Sequence, residues 1–240
     1  MDPKIKSAVD SSVELWKRVW GDSLQSIHLY GSAARGDWSS KTSDVNLLLL
    51  VESGDYNSWP DAAEVAKRKA KKGFAVPLIL SENYVRSSLD VFPMEFLDIK
   101  LFHETLYGKD LFEELTIEPA DLRLQAEREV KGKWVQLRQA ALERGTNTAA
   151  IRDLLAMSSA TWSSVFEAVL VIEGKEVPEH RRDVIRQGAE LIKLDPEVFL
   201  QVHAVRHERG ALNRIGAWEL LKKTLTQLDH LARFVDGWQS

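Results

Sequence analysis

One stretch constrains the chain more than any other: residues 27–51, IHLYGSAARGDWSSKTSDVNLLLLV. A short apolar run delivers the backbone to Gly31-Ser32, a Gly/Ser-rich turn follows, and Val45–Val51 is then apolar almost throughout. Successive strand residues point to opposite faces, so a strand apolar at every position is covered on both sides. The flanking patterns supply the cover. Ile5, Val9, Val13, Trp16 and Trp20 recur at helical spacing and predict a helix over 3–20, stopped at Gly21. Strands are expected at Ser26–Tyr30, Val45–Val51, Phe74–Leu80 and Met94–Ile99, with helices over 61–72 and 82–88. Pro77 suggests an edge or a strand end, and Pro93 opens the last strand. Helix and strand alternate, which predicts an α/β domain over residues 1–110.

After Tyr107-Gly108 the strand signals stop. Helices are expected over 119–144, 147–172, 178–193, 195–207 and 213–236. Pro119 and Asp195-Pro196 open two of them, Thr146 or Asn147 caps another, and Gly145 and Gly174 follow helix ends. Residues 111–240 therefore read as an all-α bundle, so the fold class is a mixed α/β sheet with flanking helices followed by a helical domain.

Composition excludes several chemistries. The 240 residues contain no cysteine, so disulfides, thiolate metal sites and cysteine nucleophiles are absent. With 32 basic and 36 acidic residues the net charge is −4, which argues against extensive nucleic-acid binding. The first residues show no signal-peptide pattern, and no apolar run is longer than the five residues of Leu47–Val51, which is strand length. A cytoplasmic protein without a membrane partner is expected. The 8 tryptophans leave room for a homodimer contact.

The chemistry concentrates after the first strand. Glycine at 31 permits positive φ and a close approach of backbone to ligand. The N–H groups of such a turn, the Ser32 hydroxyl and the Arg35 guanidinium suit phosphate oxygens. Asp44 and Asn46 are two apart at the head of the next strand, so they aim at one place beside that turn. A carboxylate and an amide oxygen next to bound phosphates are hard ligands that suit Mg²⁺ or Mn²⁺. No Gly-Lys-Ser/Thr follows, so this is not a P-loop.

Strand, Gly31-Ser32-x-x-Arg35-Gly36, Ser43-Asp44-x-Asn46 and an apolar strand, in that order, resemble the nucleotidyltransferase superfamily that includes DNA polymerase β. In size the chain is similar to the bacterial aminoglycoside nucleotidyltransferases and the minimal nucleotidyltransferases. The resemblance covers roughly residues 24–110. It implies transfer of a nucleoside monophosphate from an NTP to a hydroxyl of a small molecule or a protein, with release of pyrophosphate. It also implies a third carboxylate on a later strand, acting as base or metal ligand. Glu95 and Asp98, three apart on a strand, face opposite sides, so only one can join Asp44. The resemblance favours Glu95, because the family's third acid sits early in this strand. A helical domain that helps bind the acceptor fits the same resemblance. The second family carboxylate is Asn46 here, which removes charge from a two-metal site. Either Asp98 or Asp37 compensates, or the protein is slow, or it binds nucleotide or a partner without catalysis.

Other residues carry weaker signals. Trp38, between the turn and Asp44, either stacks on a base or packs beneath the loop. Glu127 either lies on a charged helix face or helps hold an acceptor. Lys67, Arg68, Lys69, Lys71 and Lys72 read as a solvated helix face, His203 and His207 as structural or surface histidines, and His28 as a packed strand residue.

Overall fold

The structure, a computed structural model, describes residues 3–38, 43–54, 56–145, 147–207 and 214–238, without the side chains of 3–5, 206, 207, 214 and 215. The chain divides into two compact units, residues 1–90 with 96–116, and residues 91–95 with 117–240.

The first unit is built on a four-stranded mixed sheet in the order β3-β2-β1-β4. Strand β1 is Leu24–Tyr30, β2 is Asn46–Val51, β3 is Leu78–Leu80 and β4 is His103–Gly108. β1 is central and antiparallel to both β2 and β4, whereas β3 runs parallel to β2. Helices α1 (Pro3–Trp20) and α3 (Trp59–Ala70) cover one face. There Val9, Trp16, Trp20, Ala62 and Val65 pack with Ile27, Leu29, Leu47 and Leu49 in one apolar cluster. Alternation then turns Ser26, His28 and Tyr30 of β1, with Asn46, Leu48 and Leu50 of β2, to the opposite face. Leu48 and Leu50 are buried there, so β2 is covered on both sides as its apolar run requires. After β1 the chain makes the short helix α2 (Ser32–Arg35); helix α4 is Glu82–Ser87.

Two sequence expectations fail in this unit. Residues 94–99 are not a strand but part of helix α5, Pro93–Leu101. The apolar residues Met94, Phe96, Leu97 and Ile99 are all buried, so the helix is enclosed around most of its circumference and shows no clean 3.6-residue stripe. Pro93 opens it as a first-turn proline, not as the start of a strand. The fourth strand is β4, a few residues later. The stretch 74–80 also pairs less than expected: Phe74 makes one bridge to Val45, and only Leu78–Leu80 forms a strand. Behind α5, the Lys100 ammonium donates to the carbonyls of Phe112, Glu113 and Leu115 at 3.1, 3.2 and 2.7 Å, which ties the helix to the turn after β4.

The second unit contains α6 (Pro119–Arg144), α7 (Thr148–Ile172), α8 (Arg181–Leu191), α9 (Pro196–His207) and α10 (Arg214–Asp236). Local chemistry marks their ends. Asn147 accepts from the Ala150 N–H at 3.1 Å, and Asp195 accepts from the Glu197 N–H at 3.0 Å. α7 is the core helix: Trp162 and Phe166 pack edge-on against Phe199 of α9. Gly188 lets α8 close on it, since a Cβ there would lie 2.6 Å from Cβ of Phe166. By length and composition α7 is apolar enough to cross a membrane, beyond what its short apolar runs suggest, yet 61% of its most apolar window is buried inside the protein. A helix this rich in apolar residues is the expected core of a bundle.

Candidate functional site

Gly31 ends β1 with φ 73° and ψ −149°, a conformation that L side chains rarely adopt. It is also tightly enclosed: a Cβ at this position would lie 2.9 Å from the Asn46 side-chain nitrogen. Glycine therefore serves two needs here, backbone conformation and close packing of the turn on the head of β2. The Gly31 carbonyl accepts from the N–H groups of Ala34 and Arg35 at 3.1 and 3.0 Å, and Gly36 closes the turn with φ 84°. The N–H groups of Ser32 and Ala33 open the α2 turn and have no intrahelical acceptor, as in any first turn. Tyr30 pairs with Asn46 across the sheet, so the turn and Asn46 sit at one sheet end.

Asp44 is exposed and Asn46 half-buried. Their segment is pinned sideways, because the Val45 N–H donates to the Gly73 carbonyl at 2.8 Å and the Ala75 N–H to the Val45 carbonyl at 3.1 Å. The residues alongside are Gly73, Phe74, Ala75 and Val76, none of them acidic.

Arg35 is not a solvent-facing fork. Its side chain is fully buried, and Nε and Nη2 both donate to Oδ1 of Asp98 on α5, at 3.3 and 3.0 Å. The guanidinium carbon lies 3.5 Å from the centroid of the Phe102 ring. Burial raises the Tyr30 hydroxyl above its ordinary pKa, and the Asp98 charge adds to that. Asp98 is thus committed to Arg35. Glu95 lies in the first turn of α5 and accepts from Nε2 of Gln125 at 2.7 Å, while Oε1 of Gln125 accepts from the Met94 N–H at 2.8 Å. Gln125 caps α5, a role that no local pattern announces. On a helix Glu95 and Asp98 do not face opposite sides, so the alternation that allowed only one of them to join Asp44 no longer applies, nor does a position early in a strand.

The lower-ranked residues are also located. Trp38 packs, half-buried, against the cluster beneath the sheet. Glu127 sits between Arg123 at 3.1 Å and Lys131 at 2.7 Å, and Lys131 also reaches Asp236, so it belongs to a surface ion-pair network. Lys69 departs from the expected solvated face: it is buried, 5.2 Å from the Phe74 ring, and burial followed by the nearby Lys72 charge lowers its pKa. His203 Nδ1 lies 3.4 Å from the Ser159 hydroxyl, while the His207 side chain falls outside the described residues.

A second polar cluster was not legible in the sequence. Behind β1, the buried His28 ring has Ser26 Oγ at 2.8 Å on Nε2 and Thr105 Oγ1 at 3.0 Å on Nδ1. His103 Nε2 meets Asp110 Oδ2 at 2.8 Å. Burial, then the neighbouring His103, lowers the His28 pKa to about 4, with Asp110 opposing the shift. For Asp110 burial acts upward, but the hydrogen bond and charge of His103 prevail and lower its pKa. Among the described residues, His28, His103 and Asp110 are the one group of three metal-ligating His, Cys, Asp or Glu side chains that converges. The misassigned strand at 94–99 concealed it.

No protein-family model matches the chain, and no curated protein is similar to it in sequence. Among solved structures it is similar to a spectinomycin adenyltransferase, AAD(9), from Enterococcus faecialis, whose structure contains ATP and spectinomycin. The match covers 92% of this chain and 99% of that one at TM-score 0.53 and 14% identity. A toxin-antitoxin structure with AMP-PNP covers 56% of this chain and 95% of its own at TM-score 0.32 and 16% identity, too distant to carry an argument. The likeness to AAD(9) shows that the chain shares the overall fold of that adenyltransferase.

Proposed function

We propose that the chain is a nucleotidyltransferase: it binds a cation-bound NTP at Gly31-Ser32 and Asp44-x-Asn46, and moves the nucleoside monophosphate to a hydroxyl acceptor with release of pyrophosphate. The observation that carries this reading is the packing of Gly31 on Asn46, which holds a positive-φ glycine turn against the head of β2. The Ser32 hydroxyl and the first N–H groups of α2 hold phosphate oxygens, and Asp44 and Asn46 orient the triphosphate through the cation. Mg²⁺ or Mn²⁺ supplies charge neutralisation when bound. One carboxylate and one amide oxygen, with the triphosphate's own oxygens, fit one such ion and do not fit two. In-line transfer asks little covalent chemistry of the protein, so positioning is its main contribution. Arg35 acts as a clamp between α2 and α5 and leaves the phosphates to backbone donors. Glu95 has no assigned part, because the strand that would have aimed it is a helix.

A second reading, nucleotide or partner binding without transfer, is favoured by the engagement of Asp98 with Arg35 and by the absence of an acid on residues 73–76. One experiment separates the two. Each labelled NTP is incubated with Mg²⁺ or Mn²⁺ and an acceptor panel, and pyrophosphate is measured. Release that disappears in Asp44→Ala supports transfer, whereas release at an undiminished rate in that variant refutes this site. Calorimetry with non-hydrolysable NTP completes the test: metal-dependent binding without turnover favours the second reading, and no binding overturns both.

A further inference from the structure

We propose that His28, His103 and Asp110 form a binding site for a transition-metal dication of the zinc class, separate from the nucleotide turn. The three side chains come from β1, the start of β4 and the turn after it. One ligand atom from each lies within 4.8 Å of the others. Ligand atoms at about 2.05 Å from a tetrahedral ion are about 3.3 Å apart, so small side-chain adjustments close the set. Two imidazoles and one carboxylate suit Zn²⁺, Co²⁺ or Ni²⁺, whereas Mg²⁺ prefers all-oxygen sites.

Two features show the set to be prepared for a ligand. First, the His103 side chain is only 10% exposed, and its Nδ1 is a buried nitrogen with no hydrogen-bond partner. A buried orphan of this kind is unfavourable unless something meets it. Second, the neighbours already orient the donors. Asp110 Oδ1 accepts from the Phe112 N–H at 2.9 Å and the Glu113 N–H at 3.4 Å, which fixes the carboxylate. Phe112 is fully buried and packs against both imidazoles, at ring centroid distances of 5.1 and 5.3 Å, as a dry wall. His28 has a hydroxyl on each ring nitrogen, Ser26 Oγ on Nε2 and Thr105 Oγ1 on Nδ1, so an ion bound at one nitrogen replaces that hydroxyl and leaves the other in place. A hydroxyl or carboxylate on the non-ligating nitrogen is the usual support of a metal-bound histidine. The bound ion would tie β4 and the 110–112 turn to β1. His28 precedes Gly31 by three residues, roughly 10 Å along a strand, so the two sites are distinct.

The test uses the full chain after chelator treatment. Zn²⁺ is titrated by calorimetry and Co²⁺ by its visible ligand-field bands, for wild type, His103→Gln, Asp110→Asn and Asp44→Ala. One equivalent is expected in wild type and Asp44→Ala, with tetrahedral-type Co²⁺ bands. Affinity should fall about 100-fold or more in Asp110→Asn and His103→Gln. Circular dichroism identifies the variants that remain folded, and Asp110→Asn keeps the size and one oxygen of the carboxylate. Absence of stoichiometric uptake by wild type, or equal affinity in folded Asp110→Asn, overturns the proposal.

Discussion

Asp98→Asn is the sharpest test of what Arg35 does. The change keeps an oxygen near the position that now accepts from Nε and Nη2 at 3.3 and 3.0 Å, and it removes only the charge. The Arg35 side chain has no exposed surface, while Asp98 retains 18%, so the charge left behind is the one that water reaches less. Breaking a buried ion pair on one side costs about 3–5 kcal/mol. The retained acceptor and the Phe102 ring at 3.5 Å reduce the expected loss to about 2 kcal/mol. For a unit of this size that is a fall in Tm of about 8 °C. Urea unfolding followed by tryptophan fluorescence reads it directly, since Trp16 and Trp20 are buried in the same unit. Arg35→Met should cost a similar amount, and the double variant less than the two losses combined, because each single change breaks the same pair. The opposite outcome is well defined. If Arg35 instead grips phosphate, Arg35→Met would keep its stability within about 0.5 kcal/mol and lose NTP affinity, while Asp98→Asn would unfold like wild type. That pattern would refute the clamp.

Gly31→Ala forces a side chain into positive φ and against Asn46, at a strain of about 1–2 kcal/mol, and calorimetry should show NTP affinity reduced by about tenfold or more. Equal affinity would mean that the turn does not hold the triphosphate. Asn46→Asp restores a second carboxylate and should tighten Mg²⁺-dependent NTP binding and raise pyrophosphate release; an unchanged rate would indicate that charge at this position does not limit the reaction. His28 makes stability pH-dependent in chelator-treated protein. Its pKa is about 4 when folded, against an ordinary 6.5, so between those values the unfolded chain takes up a proton that the folded one refuses. Stability from this source is complete above pH 6.5, and about 3 kcal/mol is lost on descending to pH 4. Denaturant titrations of wild type and His28→Asn across that window should diverge, and parallel slopes would dismiss the shift. Gln125→Ala removes the acceptor for the Met94 N–H and should lower stability by about 1 kcal/mol, read by thermal unfolding.

Much of the architecture was legible along the chain because its causes are local. The apolar run Leu47–Val51 required cover on both faces, and the tertiary structure provides it. Pro119, Asn147 and Pro196 stand where proline and side-chain caps favour helix starts, and α6, α7 and α9 begin there or one residue later. The Gly31-Ser32 turn and the Asp44-x-Asn46 strand head were likewise visible, since a bend and an alternating strand are set by neighbours in sequence. Residues 93–101 were not, because a helix buried around most of its circumference loses the periodicity that would reveal it. Which groups meet was decided elsewhere. Arg35 finds Asp98 across 63 residues, and His28 finds Thr105 across 77. Those partners follow from sheet order, with β1 between β2 and β4, and from a register that sets Tyr30 opposite both Asn46 and His103. Local patterning determined that this chain would build a sheet with a tight glycine turn at Gly31. Long-range packing determined that Arg35 would be buried against Asp98, and long-range strand pairing that two histidines and an aspartate would converge.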